Sequence, residues 1–128
     1  MSESKHDHGR YAYEGLDRVL HEKARLGIVT SLAARPEGLR FSDLKALCDL
    51  TDGNLSRHLT VLQDADILEI HKGHNGKRPQ TLCRLSNSGR QRYLDYVRVL
   101  ETVLADAASA SKATRRSDSG MPEGFSPT

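Results

Sequence analysis

The chain has 128 residues, a formal net charge of +2 and a hydrophobic fraction of 37%. This length fits one domain with tails and argues against a two-domain enzyme with a large cofactor, while the charge alone is too small to indicate a polyanionic partner. Cys48 and Cys83 are too few and too far apart for a disulfide framework or a metal-ligand set, and no apolar run approaches the ~18 residues of a membrane span.

The two ends of the chain differ in composition from its middle. Residues 1–15 are polar, rich in histidine and without the apolar stretch of a signal peptide, and we expect them to form a flexible N-terminal segment. Residues 109–128 are rich in Ser, Gly and Pro, which predicts a disordered tail. The folded body is therefore expected at residues 16–108, in a soluble, cytoplasmic protein without a membrane partner.

Apolar residues at helical spacing predict two helices at the start of the body. The first is expected to span Leu16–Ala34, because Pro36 and Gly38 end the apolar pattern after it. The second is short and is expected to begin at Ser42, whose hydroxyl can cap the free amide groups of its first turn. The apolar faces of both helices are expected to turn inward.

A third helix is predicted after the tight turn at residues 50–53. Thr51 or Asp52 can cap this helix, which is expected to reach about Ala65. Its inward stripe consists of Leu55, Leu59 and Leu62. A short helix, a tight turn and a second helix of this length form a helix-turn-helix.

The apolar spacing changes after the third helix. Residues 67–71 predict a strand, residues 81–85 predict a second strand by their alternation, and residues 73–79 between them carry turn signals. This β-hairpin is a wing beside the helix-turn-helix. Ser86 is expected to cap a long last helix that reaches Ala107. The predicted fold is therefore mostly α with a small β-hairpin wing (α+β), a winged helix-turn-helix with a long C-terminal dimerisation helix.

The third helix presents a polar face opposite its leucine stripe. At 3.6 residues per turn, Gly53, Arg57 and Thr60 point outward. Such a face suits the major groove of DNA, where Arg can bond guanine and Asn can bond adenine. The predicted recognition-helix contacts are Gly53, Asn54, Ser56, Arg57, His58 and Thr60.

The hairpin places positive charge beside this face. Residues 51–92 carry seven Lys and Arg against four Asp and Glu, a local balance of +3 that exceeds the +2 of the whole chain. The basic excess falls in the region where a duplex would lie. The predicted contacts of the wing and the DNA backbone are Ser42, Lys72, Lys77 and Arg78.

The segments DGNLSRHLTVLQDADIL and GHNGKRPQTLCRLSNSGR resemble the winged-helix regulators at the border of the ArsR and MarR types, which are small bacterial and archaeal transcription regulators. The resemblance covers most of residues 16–106, and departs at Lys23 and Asp66, where relatives often carry Pro and Gly. It implies that the third helix docks in the major groove and that the wing contacts the backbone. Metal-sensing relatives carry paired thiolates here, whereas Cys48 stands alone, so the resemblance gives no support for metal sensing.

The last helix carries an apolar stripe over four turns, which is more than one small domain needs to cover. Such a face usually packs on a partner, and the resemblance implies a homodimer. The predicted dimer interface comprises Leu16, Leu20, Tyr93, Tyr96, Val97, Leu100, Val103 and Leu104. A two-fold dimer places two recognition helices about 34–36 Å apart, so we expect a roughly palindromic operator.

Some of these assignments have plainer alternatives. Arg57 can be a solvated helix residue, and the wing can be only a soluble hairpin tip. His58 is more often a histidine at the edge of a core than a base contact. Tyr93 and Tyr96 fit core or dimer packing better than a ligand pocket.

The function expected from these features is a homodimeric regulator of transcription that binds specific double-stranded DNA. We expect a repressor that is associated with the nucleoid, and any small-molecule effector would act by shifting the population of the dimer that is competent to bind DNA. The alternative is a winged helix used as a protein–protein adaptor without specific DNA binding. The sequence has no nucleophile elbow, phosphate loop or metal set, so we expect neither an enzyme nor a cofactor.

Overall fold

The computed structural model describes residues 8–116 and 120–127. Within them the helices are α1 (Lys23–Ala33), α2 (Phe41–Cys48), α3 (Asp52–Asp64) and α4 (Asn87–Arg116), and the strands are β1 (Leu39–Arg40), β2 (Leu68–Asn75) and β3 (Arg78–Leu85). The strands form one antiparallel sheet in the order β1–β3–β2. The predicted winged helix-turn-helix is confirmed, with one short strand more than the sequence predicts.

The first helix begins at Lys23, so its predicted start at Leu16 is wrong. Glu22 precedes the helix in extended backbone, and its carboxylate accepts a hydrogen bond of 2.8 Å from the Arg25 amide. A side-chain acceptor at this position satisfies an amide that has no partner inside the helix. The cap therefore fixes the start of α1 after residues 16–22.

Residues 17–20 form a tight turn instead of helix. The Asp17 carboxylate accepts hydrogen bonds from the Val19 and Leu20 amides at 2.9 and 3.3 Å. Aspartate favours turns because its short side chain bonds nearby amides in this way. The turn buries Leu20 completely. The helical spacing of Leu16 and Leu20 therefore arises from side chains of a turn that pack on the core, and no helix is present there.

The second helix begins at Phe41, and Ser42 is not its cap. Arg40 precedes the helix in extended backbone, and its side chain makes no capping hydrogen bond. Arg40 is paired with Leu82 in the sheet. The sheet therefore leads the chain directly into α2.

The predicted cap and core stripe of the third helix are confirmed. Thr51 Oγ1 accepts a hydrogen bond of 3.1 Å from the Asn54 amide. The stripe is buried, with exposures of 0%, 3% and 0% for Leu55, Leu59 and Leu62. The opposite face of α3 is therefore the one that solvent reaches.

The hairpin is longer than the sequence predicts. Its strands stay paired from Leu68 and Leu85 to Asn75 and Arg78, so most of the segment expected to be a turn is strand. The turn itself contains two residues, and its first residue, Gly76, adopts φ 68°. Glycine suits this position because a two-residue hairpin turn needs a positive φ there.

The last helix starts as predicted but ends later. The Ser86 hydroxyl accepts a hydrogen bond of 2.8 Å from the Gly89 amide, which confirms the cap. The helix continues past the expected end at Ala107 to Arg116, so residues 109–116 are helical and exposed where a disordered tail was expected. Alanines recur through this stretch, and alanine has the highest helix propensity. Residues 117–119 and 128 of the expected tail lie outside the described residues.

The N-terminal segment contacts the last helix. The Tyr13 hydroxyl donates a hydrogen bond of 2.6 Å to the Asp106 carboxylate, and this bond raises the pKa of Tyr13 to about 12. A Cβ at Gly15 would lie 2.6 Å from the Val99 side chain, which shows how closely the segment approaches α4. The flexible segment was expected to extend to residue 15; residues 1–7 of it lie outside the described residues.

Candidate nucleic-acid interface

The outward face of α3 carries small and polar side chains. Five of the predicted recognition residues are exposed on it: Gly53, Asn54, Ser56, Arg57 and Thr60. Nothing in the described chain lies within 4 Å of a Cβ built on Gly53. The face is therefore open at its N-terminal end, where the helix amides favour an anion such as phosphate.

The two candidate base-contacting side chains bond each other. Arg57 Nη2 donates a hydrogen bond to Asn54 Oδ1, with 2.5 Å between the nitrogen and the oxygen. The contact is exposed and restrains the guanidinium above the first turns of α3. Because a guanidinium has five N–H donors, this bond leaves donors for a base edge or a phosphate.

The acidic side chain in the first turn of α3 is paired with a lysine. Lys45 Nζ of α2 lies 2.9 Å from Asp52 Oδ1 at the start of α3. Both side chains are largely exposed, so the pair contributes little to stability. Its consequence is local charge balance, because a cation stands beside the only acidic side chain in the first turn of α3.

A groove separates α3 from the wing. Its volume is about 570 Å³, and its lining comprises Phe41, Ser56, Leu59, Thr60, Gln63, Ile70, Lys72 and Thr81. Lys72 is exposed on the hairpin side of this groove, with Ser56 and Thr60 on the helix side. The groove thus brings a predicted backbone contact together with two predicted recognition residues.

A second cleft lies between the start of α2 and the outer half of the wing. It contains the predicted contacts Ser42 and Arg78, and its volume is about 380 Å³. Lys77 is exposed in the hairpin turn next to it. Sequence reasoning missed Arg40, which lines the same cleft and is exposed. The sequence signal for Arg40 was its place between an apolar residue and the start of a helix. A strand of two residues is too short to show the alternation of apolar and polar residues that would identify it.

His58 does not share the open face of α3. It is half-buried, and its Nδ1 lies 3.5 Å from Nη1 of Arg25 in α1. This placement favours the interpretation of His58 as a histidine at the edge of the core over a base contact.

The residues predicted for a dimer interface divide into three groups. Leu20 and Tyr96 belong to the core of the chain itself, which leaves them no surface for a second chain. A further set is partly buried against that core: Leu16, Tyr93, Val97 and Leu100. Leu104 is 63% exposed and Val103 is partly exposed, and sequence reasoning missed Leu94, which is 46% exposed. The open apolar surface of α4 therefore runs from Leu94 to Leu104.

Three further features of the described residues concern metal binding, membrane crossing and thiol chemistry. In residues 8–116 and 120–127, no group of three or more His, Cys, Asp or Glu side chains could hold a metal ion. None of the helices in this part of the chain is both long and apolar enough to cross a membrane. Burial raises the pKa of the Cys83 thiol to about 11, so that side chain acts as a small apolar group in the core.

Comparisons with known proteins point to one fold. A family model described as "Winged helix DNA-binding domain" matches residues 24–104. The uncharacterized protein MJ0432 of Methanocaldococcus jannaschii is 34% identical over 61 residues, which cover 48% of this chain and 66%, just under two thirds, of that protein.

Two solved structures extend this result. A transcriptional regulator homologue protein from Pyrococcus horikoshii OT3 is 26% identical with a TM-score of 0.69, and the match covers 77% of this chain and 96% of that one. MepR of S. aureus, solved as a DNA complex, is 14% identical with a TM-score of 0.63, and the match covers 87% and 90% of the two chains. The MepR likeness shows the fold alone.

Proposed function

Since this chain belongs to the family of winged helix DNA-binding domains, we propose that it is a homodimeric regulator of transcription that binds specific sequences of double-stranded DNA. The match to residues 24–104 bears out the resemblance of the α3 and wing segments to winged-helix regulators. The fold is shared with MepR, which was solved in complex with DNA.

One observation carries this proposal: the polar face of α3 and the basic wing border a single groove. Ser56 and Thr60 lie on one side of it and Lys72 on the other. A helix in the major groove brings flanking phosphates close to a neighbouring wing. In the proposed complex, Arg57 and Asn54 contact base edges, while Ser42, Lys72, Lys77 and Arg78, together with Arg40, contact the DNA backbone.

The last helix supports the assembly of two copies. Its thirty residues span about 45 Å, and residues 107–116 are exposed along their whole length. Leu94 and Leu104 lie within about 80° of each other around the helix axis, which makes an exposed apolar stripe that Glu101 interrupts. A second copy of the chain would cover this stripe and bring a second α3 to the same duplex.

Repression is the regulatory effect that follows most directly from such a dimer. A dimer bound across a promoter excludes other proteins from it. A small molecule that binds one dimer arrangement better than another would shift the population that binds DNA. We therefore propose a repressor that acts at the nucleoid and that any effector would regulate through this equilibrium.

The direct test is selection from a pool of randomised duplexes at two salt concentrations. Recovery of an inverted repeat with half-sites about one helical turn apart supports the proposed dimeric regulator. Weak binding that depends steeply on salt and yields no motif indicates nonspecific binding to phosphates. No binding at low salt overturns the proposal in favour of a protein–protein adaptor.

The base contact predicted for Arg57 can be tested on the selected operator. Arg57→Ala is expected to weaken operator binding by roughly 1–3 kcal/mol, or about 5- to 150-fold, because a bidentate contact to guanine is lost. Binding to random duplex should change far less. Both affinities are measured by fluorescence anisotropy, with Arg98→Ala in α4 as the matched control. Equal losses on both duplexes would identify Arg57 as a phosphate contact.

The wing makes a separate prediction about salt. Lys77→Ala combined with Arg78→Ala is expected to weaken binding to all duplexes and to reduce the slope of log affinity against log salt by about 2. Each contact between a cation and a phosphate releases counterions, and the two substitutions remove two such contacts. Removal of the exposed pair Arg115 and Arg116 at the end of α4 is the control. An unchanged slope in the wing variant would place the wing outside the interface.

A further inference from the structure

The tight turn at residues 17–20, termed the N-terminal turn, lies outside the segment matched by the family, which begins at residue 24. Besides the two amides that bond the Asp17 carboxylate, the His21 amide donates to the Asp17 carbonyl at 2.7 Å. Leu20 is fully buried and fixes the turn to the core. The N-terminal turn is therefore an ordered, hydrogen-bonded element outside the matched segment.

The N-terminal turn holds an arginine of the last helix. Arg92 donates to both carboxylate oxygens of Asp17, through Nε and through Nη2, in the two-pronged geometry that gives strong and directional pairs. Burial raises the pKa of Asp17, but hydrogen bonds from Arg92 and from the amides of Leu20 and Val19 outweigh it and leave the pKa below its ordinary value. Asp17 is therefore charged at neutral pH and fixes the guanidinium.

The same guanidinium reaches the end of α3. Arg92 Nη1 donates to the carbonyl of Ala65, the C-cap residue of α3, at 3.3 Å. Carbonyls at a helix C-terminus have no partner within the helix, and a cation is favourable there. Arg92 thus connects the N-terminal turn to the C-terminal end of the candidate recognition helix.

A second arginine also connects the N-terminal turn to α3. Arg25 of α1 donates through Nε to the Val19 carbonyl at 2.7 Å. Its Nη1 lies 3.5 Å from His58 Nδ1 in the middle of α3. One turn therefore orients two arginines, and each of them contacts α3 at a different level.

We propose that the N-terminal turn is a positioning device for sequence discrimination, which acts on α3 through Arg92 and Arg25 without touching DNA. The inference rests on the proposed function. The leucine stripe of α3 supplies non-directional burial, whereas hydrogen bonds at two levels fix the direction of the helix. Base contacts require side chains held to within about 0.5 Å, and phosphate contacts tolerate larger displacement. Loss of the turn should therefore reduce discrimination more than overall DNA affinity.

The test uses substitutions that keep the local fold. Asp17→Asn retains an oxygen that can accept the Val19 and Leu20 amides but loses the charge and the second acceptor for Arg92. Arg92→Lys retains the charge but loses the planar fork that bonds both oxygens of Asp17 while it reaches Ala65. The matched control is Asp95→Asn, which removes an exposed pair with Arg98 on the same helix.

Two kinds of measurement on the full chain, DNA binding and amide hydrogen exchange, test the positioning role. The ratio of operator affinity to random-duplex affinity is expected to fall about tenfold in both variants, as for loss of one bidentate base contact. Random-duplex affinity should stay within about twofold of the unchanged chain, because the phosphate contacts remain. In the free protein, the amides of Ala65 and Ile67 should exchange hydrogen faster than in the control, while strand amides keep their rates.

Several outcomes would overturn the positioning role. An unchanged ratio of operator affinity to random-duplex affinity does so, and so does an equal loss of affinity for both duplexes. An exchange rate that rises evenly over the whole chain does so as well, because it indicates that the turn has only a structural role. Failure of the unchanged chain to discriminate between duplexes would overturn the proposed function itself. Discrimination that the unchanged chain has and both variants keep would overturn only the positioning proposal.

Discussion

Gly89→Ala is expected to destabilise the fold by about 3 kcal/mol, the upper range for forcing an extra carbon into a packed site. A Cβ built on Gly89 would lie 1.8 Å from the carbonyl oxygen of Ile67 and 2.6 Å from its carbonyl carbon. These are backbone atoms, so no side-chain rotation relieves the clash. For a domain of this size the melting temperature should fall by about 15 °C.

The Ile67 carbonyl cannot move away at low cost. It accepts hydrogen bonds from the Ser86 amide at 3.0 Å and from the Ser86 hydroxyl at 3.1 Å. The Ser86 hydroxyl shares its one proton with the neighbouring carbonyl of Asp66 at 2.6 Å, and the Ser88 hydroxyl donates to that carbonyl at 2.9 Å. The connection after α3 is thus tied to the first turn of α4, and a retreat of the carbonyl would break several of these bonds.

Thermal and urea unfolding measure this effect against a matched glycine. Gly53→Ala is the control, because its added Cβ meets no described residue within 4 Å apart from its own turn of helix, and alanine is favoured over glycine in a helix by about 1 kcal/mol. The control should be as stable as the unchanged chain or more stable. A Gly89→Ala variant that melts within a few degrees of the unchanged chain would show that the junction yields easily.

The parts of the fold that the sequence predicts are those encoded by neighbouring residues. Helical spacing located the stripe of α3, and the caps at Thr51 and Ser86 follow from side chains that bond amides three residues later. The two-residue strand β1 is different, because it exists through pairing of Leu39 with Cys83. No local pattern carries that information, so β1 could not be predicted from the sequence.

Long-range hydrogen bonds account for the errors in the N-terminal region. Apolar residues at 16 and 20 fit a helix, yet the Asp17 carboxylate caps a turn and also holds Arg92 far along the chain. Neither charge reveals its partner in the sequence. The same limit applies to His58, whose contact with Arg25 joins two helices.

Periodicity predicts the faces of the candidate interface better than the partners of those faces. The wheel of α3 places Arg57 outward because Leu55 and Leu59 must be buried, and the structure has the same arrangement. On α4 the apolar pattern does not distinguish burial in the chain itself from burial against a second copy. Tyr96 is covered by the chain, whereas Leu104 is not.

The exposed apolar stripe of α4 is expected to hold the proposed dimer together. Leu94→Glu combined with Leu104→Glu is expected to convert the proposed dimer into a monomer, because four charges would face each other across a two-fold interface and lose water on burial. Sedimentation should then give the 14.2 kDa mass of one chain. Leu47→Glu in α2 is the matched control, since Leu47 is 64% exposed on another element. A double variant that stays dimeric would place the interface elsewhere.

Loss of the dimer should weaken binding to a full operator by about 10²- to 10⁴-fold, because the second recognition helix no longer binds at the effective concentration that linkage provides. Binding to a single half-site should change little, since Arg57 and the wing lie on other elements than Leu94 and Leu104. Measuring both duplexes therefore separates assembly from recognition. If half-site affinity fell as much as operator affinity, the substitutions would have damaged the reading face itself; if the full operator were bound as tightly by the monomer, two-fold recognition would not be the source of affinity.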